Sequence, residues 1–119
     1  MGILKMKKSK IAVTRVGAHT ILVLRESLTY KNCEELEALL KEVMKGNQSA
    51  PVLDCKEVTF MDSMALETLL RMQESMKEQG SRLKIINLNA VCRNILIATR
   101  LINQFHVYLD LQEAVRETT

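Results

Sequence analysis

Aromatic residues are scarce in this chain of 119 residues, which contains no Trp, two Tyr and two Phe. A core built from Leu, Ile, Val and Met is therefore expected, and the hydrophobic content of 47% is sufficient for one. Nucleic-acid modules that stack bases need exposed aromatic rings, so the scarcity argues against direct nucleic-acid binding. The length fits one domain with a single core.

Cysteine and histidine are too few and too scattered for the usual metal or disulfide frameworks. The three cysteines, Cys33, Cys55 and Cys92, are widely spaced and odd in number, which disfavours both disulfides and a zinc site. We interpret His19 and His106 as surface or strand residues and not as ligands. We therefore expect no metal, no cofactor and a cytoplasmic location.

Long apolar runs are also missing, so no membrane insertion is expected, and the N-terminus lacks the apolar centre of a signal peptide. The formal net charge is a mild +3. Much of this excess comes from four lysines near the start of the chain: Lys5, Lys7, Lys8 and Lys10. We predict a flexible basic arm over residues 1–9, followed by a domain over residues 10–118.

Glycine-rich catalytic motifs are absent, because the chain has only four glycines. None of them lies at a predicted strand-to-helix turn, which excludes a phosphate-binding loop, a dinucleotide-binding turn and a nucleophile elbow of the usual kinds. We expect no catalytic residues and no enzymatic activity; a small enzyme or nucleotide-binding protein is the least favoured of the open alternatives, because no phosphate loop, metal cluster or base is visible.

Hydrophobic periodicity predicts a single α/β domain. A β-hairpin is expected from 10-KIAVTRV-16 and 20-TILVLRE-26, with Gly17-Ala18-His19 between them. Further strands are predicted over residues 51–55, 82–88 and 105–109, and helices over residues 32–46, 63–79, 90–101 and 110–118. Because strands and helices alternate after the hairpin, we expect right-handed crossovers and a mixed sheet of about four or five strands.

The segment 57-EVTFMDSMALETLL-70 places Asp62 and Ser63 where an apolar strand-like run gives way to a helical pattern. Functional sites in open α/β sheets favour the carboxyl ends of strands, and a helix N-terminus stabilises an anion. One interpretation is a plain helix cap by Asp62 or Ser63, which would contribute roughly 1 kcal/mol. The other is a switch, in which a phosphate on Ser63 adds about −1.5 to −2 charges. The residue chemistry alone favours the cap.

The stretch over residues 52–101 resembles the STAS domain family, especially its bacterial anti-sigma factor antagonists. The similarity rests on an apolar strand that ends in Asp54, on Phe-Met-Asp-Ser at 60–63, and on Ala65-Leu66 opening a helix. It covers nearly the whole chain when the hairpin and the helix from Asn32 are included. The resemblance implies a STAS-like single domain, with a mixed sheet packed against helices and no catalysis of its own.

The resemblance also implies a cycle of partner switching controlled by phosphorylation of Ser63. The unphosphorylated protein would bind an anti-sigma factor that is also a serine kinase, phosphorylation would release it, and a serine phosphatase would reset the cycle. The implied partner-binding residues are Thr29, Tyr30, Lys31, Asn32, Met61, Asp62, Ser63, Met64 and Leu66. The alternative is a STAS scaffold or regulatory subunit, in a transporter or a signalling assembly, without a phosphorylation cycle. The oligomeric state stays open.

Three positions depart from the family pattern. After Asp62 the chain has Ser63-Met64-Ala65-Leu66, where the family usually has Ser-Gly-Leu or Ser-Ser-Gly-Leu, and Thr29 replaces the Asp of a Gly-x-Leu-Asp that follows the second strand. Near the end of the third predicted helix, Thr99-Arg100-Leu101 replaces another Ser-Gly-Leu. An exposed Met64 would change the surface that a kinase meets.

Overall fold

The computed structural model describes residues 10–45 and 51–116. Its five strands are β1 (Ile11–Val16), β2 (His19–Leu24), β3 (Val52–Asp54), β4 (Lys84–Ile86) and β5 (His106–Tyr108). They form one sheet in the order β1-β2-β3-β4-β5, in which β1 is antiparallel to β2 and the other neighbours are parallel. The predicted mixed α/β sheet is therefore confirmed. The predicted basic arm, residue 46 at the end of the first predicted helix, and residues 117–118 lie outside the described residues.

The hairpin turn is shorter than the sequence pattern predicts. Gly17 and Ala18 alone connect the strands, because His19 already pairs with Val16 as the first residue of β2. Gly17 has a φ of +61°, a conformation that glycine adopts without a steric penalty. A positive φ at the first residue of a two-residue turn matches the twist of the flanking strands.

In the described part of the chain, four helices connect and cover the strands: α1 (Cys33–Lys45), α2 (Ser63–Lys77), α3 (Ala90–Ala98) and α4 (Leu111–Arg116). Helix α3 ends earlier than its hydrophobic pattern indicates. Thr99 is the C-cap, and its hydroxyl donates a 2.8 Å hydrogen bond to the carbonyl of Ile95. Arg100 then has a φ of +63°, which stops the helix and leads into a short 3-10 turn, Ile102–Gln104. Within the described ranges, no helix is both long enough and apolar enough to cross a membrane.

Alternate residues of the central strands face two different helix layers, as the period of a β-strand requires. The larger core lies beneath α1, α2 and α3, and a smaller cluster lies beneath α4. The strands contribute Leu22, Leu53 and Ile85 to the first, and Ile21, Val52 and Ile86 to the second. Each fully buried aliphatic side chain stabilises the fold by about 1.5–3 kcal/mol.

The strand before α2 ends sooner than the apolar pattern indicates. The chain turns directly after β3, where the Asp54 carboxylate accepts a 3.0 Å hydrogen bond from the backbone N–H of Lys56. Residues 58–60 form no regular strand, and Met61 makes one isolated parallel bridge to Leu28. The segment before Ser63 is therefore a loop held against residue 28, and not the end of a strand.

Candidate functional site

Asp62 connects the start of α2 to the loop over residues 28–32. Its backbone is extended, and its Oδ1 accepts a 2.8 Å hydrogen bond from the N–H of Ala65. Its Oδ2 accepts a 2.9 Å hydrogen bond from the N–H of Tyr30. Of the two residues that the sequence offered as a cap, Asp62 is the N-cap, and Ser63 is the first helical residue. One carboxylate therefore both caps the helix and positions the loop.

The loop and the segment before α2 also run side by side through backbone contacts. The N–H of Leu28 donates to the carbonyl of Phe60 at 3.1 Å, and the N–H of Asp62 donates to the carbonyl of Leu28 at 3.3 Å. The side chains of Leu28 and Met61 are buried in the core. The buried side chains of Leu28 and Met61, together with these backbone hydrogen bonds, therefore fix the position of Asp62.

Asn32 fixes the loop from the inside. Its carboxamide oxygen accepts a 2.9 Å hydrogen bond from the N–H of Thr29, and its Nδ2 donates to the carbonyl of Ser27 at 2.9 Å. Nδ2 also lies 3.3 Å from a carboxylate oxygen of Glu26. Since Asn32 is buried, it supports the surface without lying on it.

The nine predicted site residues form one region, but they differ in exposure. Met61 is buried like Asn32, whereas Thr29, Asp62 and Leu66 are half-buried. The exposed members are Tyr30, Lys31, Ser63 and Met64. A partner that approaches from solvent would meet these four first, with the others as support beneath them.

Ser63 is exposed at the positive end of a helix of 15 residues. No described residue accepts a hydrogen bond from the backbone N–H of Ser63 or of Met64. The first N–H groups of a helix lack partners within the helix and favour an anion nearby. The Asp62 carboxylate lies next to them and opposes a second negative charge. Ser63 thus lies next to helix N–H groups that favour a negative charge and next to a carboxylate that opposes one.

Exposed apolar side chains surround this site. Tyr30 is 66% exposed, Phe60 50% and Met64 43%. Tyr30 and Phe60 line an open cleft of about 480 Å³ together with Asp62. Phe60 is not among the predicted site residues, because the apolar run in which it lies resembles a strand with a buried face. The signal that points to it is its position two residues before Asp62.

The three cysteines lie in the core and are not activated. Burial raises the pKa of the Cys33 thiol, while its hydrogen bond with the Thr68 side chain has the opposite, smaller effect. Burial also raises the pKa of Cys55 and of Cys92. A nucleophilic cysteine needs a lowered pKa and access to solvent, so none of these thiols fits that role.

The family model for the STAS domain matches residues 10–114. The chain belongs to the STAS domain family. No curated protein matched the sequence. Among solved structures, a candidate anti-sigma factor antagonist from Thermotoga maritima is 20% identical and has a TM-score of 0.81. That likeness covers 90% of this chain and 92% of the other.

STAS structures with different described roles share this fold. SpoIIAA, an anti-sigma factor antagonist solved in its unphosphorylated form, is 14% identical with a TM-score of 0.73, covering 91% of this chain and 95% of its own. A sulfate transporter family protein from Wolinella succinogenes is 16% identical with a TM-score of 0.74, covering 84% of each chain. At these identities the likeness establishes the fold alone.

Proposed function

We propose that this STAS domain is a cytoplasmic anti-sigma factor antagonist that acts by partner switching. In this proposal it binds an anti-sigma factor with serine kinase activity while Ser63 is unphosphorylated, and it releases that partner after phosphorylation. The observation that carries the proposal is the position of Ser63, exposed at the first position of α2 beside the carboxylate that holds the Tyr30 loop. The domain itself is not an enzyme.

The unphosphorylated surface suits a protein partner because it combines fixed polar groups with exposed apolar ones. Tyr30, Phe60 and Met64 supply apolar area that a partner can bury. Aromatic side chains and methionine are enriched in the buried centres of protein interfaces. The hydrogen bonds of Asp62 hold the loop and the helix start in place before binding, which lowers the entropy lost on association.

Phosphorylation would change this surface by charge. The kinase would transfer the terminal phosphoryl group of ATP to Ser63 Oγ, with ADP leaving and the hydroxyl proton passing to a base of the kinase. The product carries about −1.5 to −2 charges at neutral pH, next to the Asp62 carboxylate. A charge of this size among Tyr30, Phe60 and Met64 would have to lose its water when a partner covers it, which opposes binding. A serine phosphatase would restore the hydroxyl.

The second candidate function is a regulatory or scaffold domain in a transporter or signalling assembly, without a phosphorylation cycle. It is favoured by the structural likeness to the sulfate transporter family protein. A domain of murine Slc26a9, an anion transporter, also has this fold, and the likeness covers 18% of that chain. In this case the same apolar surface would bind its partner irrespective of the state of Ser63.

Two variants of Ser63 test the proposal. Affinity capture from the native cell, with mass spectrometry, identifies the partner, and titration calorimetry then measures its affinity. We expect Ser63→Asp to weaken kinase binding by about tenfold or more, and Ser63→Ala to bind almost as tightly as the unchanged protein. Incubation with the kinase and ATP should add one phosphate to the unchanged protein and none to Ser63→Ala.

Ser75→Asp is the matched control, because Ser75 is exposed on the same helix and far from Asp62. It introduces the same negative charge and should leave kinase binding unchanged. Equal affinity of Ser63→Asp and the unchanged protein would contradict the switch. Capture of a transporter instead of a kinase, with no phosphate on Ser63, would support the second candidate.

A further inference from the structure

A second cavity lies away from Ser63, at the amino-terminal ends of β4 and β5. Its volume is about 640 Å³, within the roughly 300–1,000 Å³ that is usual for small-molecule sites. Its walls come from α2, from the turn after α2, from the 3-10 turn and from both strands. Five segments of the chain therefore contribute to one concave surface that the proposed partner switch does not use.

The charge in this cavity has one sign. Four basic residues line it: Lys77, Arg82, Lys84 and His106. None of the other described residues that line it is acidic. Ser81 and Asn103 add neutral hydrogen-bond donors. Among the residues that the structure describes, no carboxylate forms an ion pair with Lys77 or Arg82. The cavity therefore attracts negatively charged ligands.

The register of the sheet brings the basic groups together. Residues that pair with one another across neighbouring strands form a row perpendicular to the strands. In one such row, Val52 of β3 pairs with Lys84 of β4, and Lys84 pairs with His106 of β5. Ile21 of β2 continues this row and is buried, as is Val52. The row is thus apolar on β2 and β3 and basic on β4 and β5. A basic pair at the edge of an apolar row is a defined local feature, in contrast to a general positive surface charge.

Lys84 is the most buried of the basic groups, with 7% of its surface exposed. Burial lowers the pKa of its ammonium group. The pKa of His106 is also lowered, first by burial and then by the positive charges of Arg82 and Lys84. The charges of Arg82 and Lys84 therefore disfavour the protonated ring of His106, and a bound anion would favour it.

We propose that this cavity binds a small molecule that carries phosphate groups, with Arg82 and Lys84 as the residues that pair with the phosphate oxygens. A guanidinium group donates two parallel hydrogen bonds to a phosphate, and an ammonium group supplies a compact charge. Phosphate matches the cavity better than a single carboxylate does, because it has more acceptor oxygens and a larger charge for several converging donors. The site is separate from Ser63, so it constitutes a second binding function of the domain.

NMR titration of the full chain tests the proposal. Sodium pyrophosphate, inorganic phosphate and glycerol phosphate are each added at constant ionic strength, and citrate serves as an anion of comparable charge without phosphorus. We expect saturable shifts for the backbone amides of Ser81, Arg82, Lys84 and His106, with a Kd on the order of 1 mM or lower for pyrophosphate. The amide resonances of Asp62 and Ser63 should not shift.

Arg82→Gln should weaken pyrophosphate binding by about tenfold, as expected for the loss of a charged hydrogen bond. Arg82 is exposed, so this variant is expected to fold even if Lys84→Gln does not. Lys41→Gln removes the same charge from the exposed surface of α1 and is the matched control. Shifts that do not saturate, citrate binding as tight as pyrophosphate binding, or unchanged affinity in Arg82→Gln would each overturn the proposal.

Discussion

The two ends of the parallel strands β2 to β5 differ in charge and in the way their side chains are held. At the carboxyl end, the Asp62 carboxylate accepts two backbone hydrogen bonds and lies beside exposed apolar residues. At the amino end, basic residues converge on a cavity around Lys84. An apolar, pre-ordered surface suits a protein partner, whereas a basic cavity suits a small anion. The two ends of one small domain thus present chemically different surfaces, and we expect a change at one end to leave the other undisturbed.

The largest effect on stability is expected at the amino end, from Gln73→Leu. Gln73 lies on α2 and is buried, and its side-chain oxygen accepts a 2.7 Å hydrogen bond from the N–H of Leu83. Leucine keeps most of the volume but leaves that buried N–H without its acceptor. The free energy of unfolding should fall by about 1–3 kcal/mol, measured by urea denaturation.

Gln79→Leu is the control for this variant, since Gln79 is exposed just beyond the same helix. It should leave the urea midpoint nearly unchanged. Kinase binding of Gln73→Leu, measured where the protein is folded, should equal that of the unchanged protein. A stability close to that of the unchanged protein would show that the Gln73 hydrogen bond does not hold the amino end together.

A smaller effect is expected at the carboxyl end, from Asp62→Ala. The change removes the N-cap of α2 and the acceptor of the Tyr30 N–H together, and loss of a cap costs about 0.5–2 kcal/mol. Asp62→Asn retains one oxygen acceptor and should lose less stability than Asp62→Ala. Hydrogen exchange should show faster exchange of the Tyr30 amide in Asp62→Ala, with no change at Leu83. Unchanged protection of Tyr30 would mean that the backbone contacts of Leu28 alone position the loop.

Local patterns in the sequence predict most of the fold because they depend on neighbours along the chain. The order of strands and helices follows from hydrophobic periodicity, and Asp62 was one of two residues expected as the cap. The partners that decide the geometry are distant in sequence and could not be predicted this way. The second carboxylate oxygen of Asp62 accepts a hydrogen bond from the backbone N–H of Tyr30, which lies 32 residues earlier.

Arg71 is a further case of a partner that sequence spacing does not indicate. Its spacing from Glu67 is favourable for a pair within one helix. In the fold its guanidinium makes two 3.2 Å hydrogen bonds to the Glu37 carboxylate on α1, and Glu67 acts on it only as a nearby charge. The pairing of Lys84 with His106 likewise depends on strand register. The basic cavity therefore has no local signal in the sequence, because both residues lie in segments whose patterns predict ordinary strands.

The smallest expected effect is a pH dependence that originates at His106. The folded-state pKa of His106 lies below its ordinary value of 6.5, because burial, Arg82 and Lys84 disfavour the charged ring. The unfolded chain therefore binds this proton at a higher pH than the folded chain does. As pH falls from above 6.5 through the folded-state pKa, the His106 contribution to stability should decrease, and below that pKa it should stay constant.

Urea denaturation across this pH range measures the effect. His106→Gln should remove the part of the pH dependence of the unfolding free energy that originates at this residue. An NMR titration of the His106 ring distinguishes the two ends of the sheet more sharply. Its midpoint should rise when pyrophosphate is present, because an anion in the cavity stabilises the protonated ring. Phosphorylation of Ser63 should leave the midpoint unchanged, since that charge lies at the other end of the sheet. A midpoint that shifts with Ser63 phosphorylation as much as with pyrophosphate would show that the two ends are coupled.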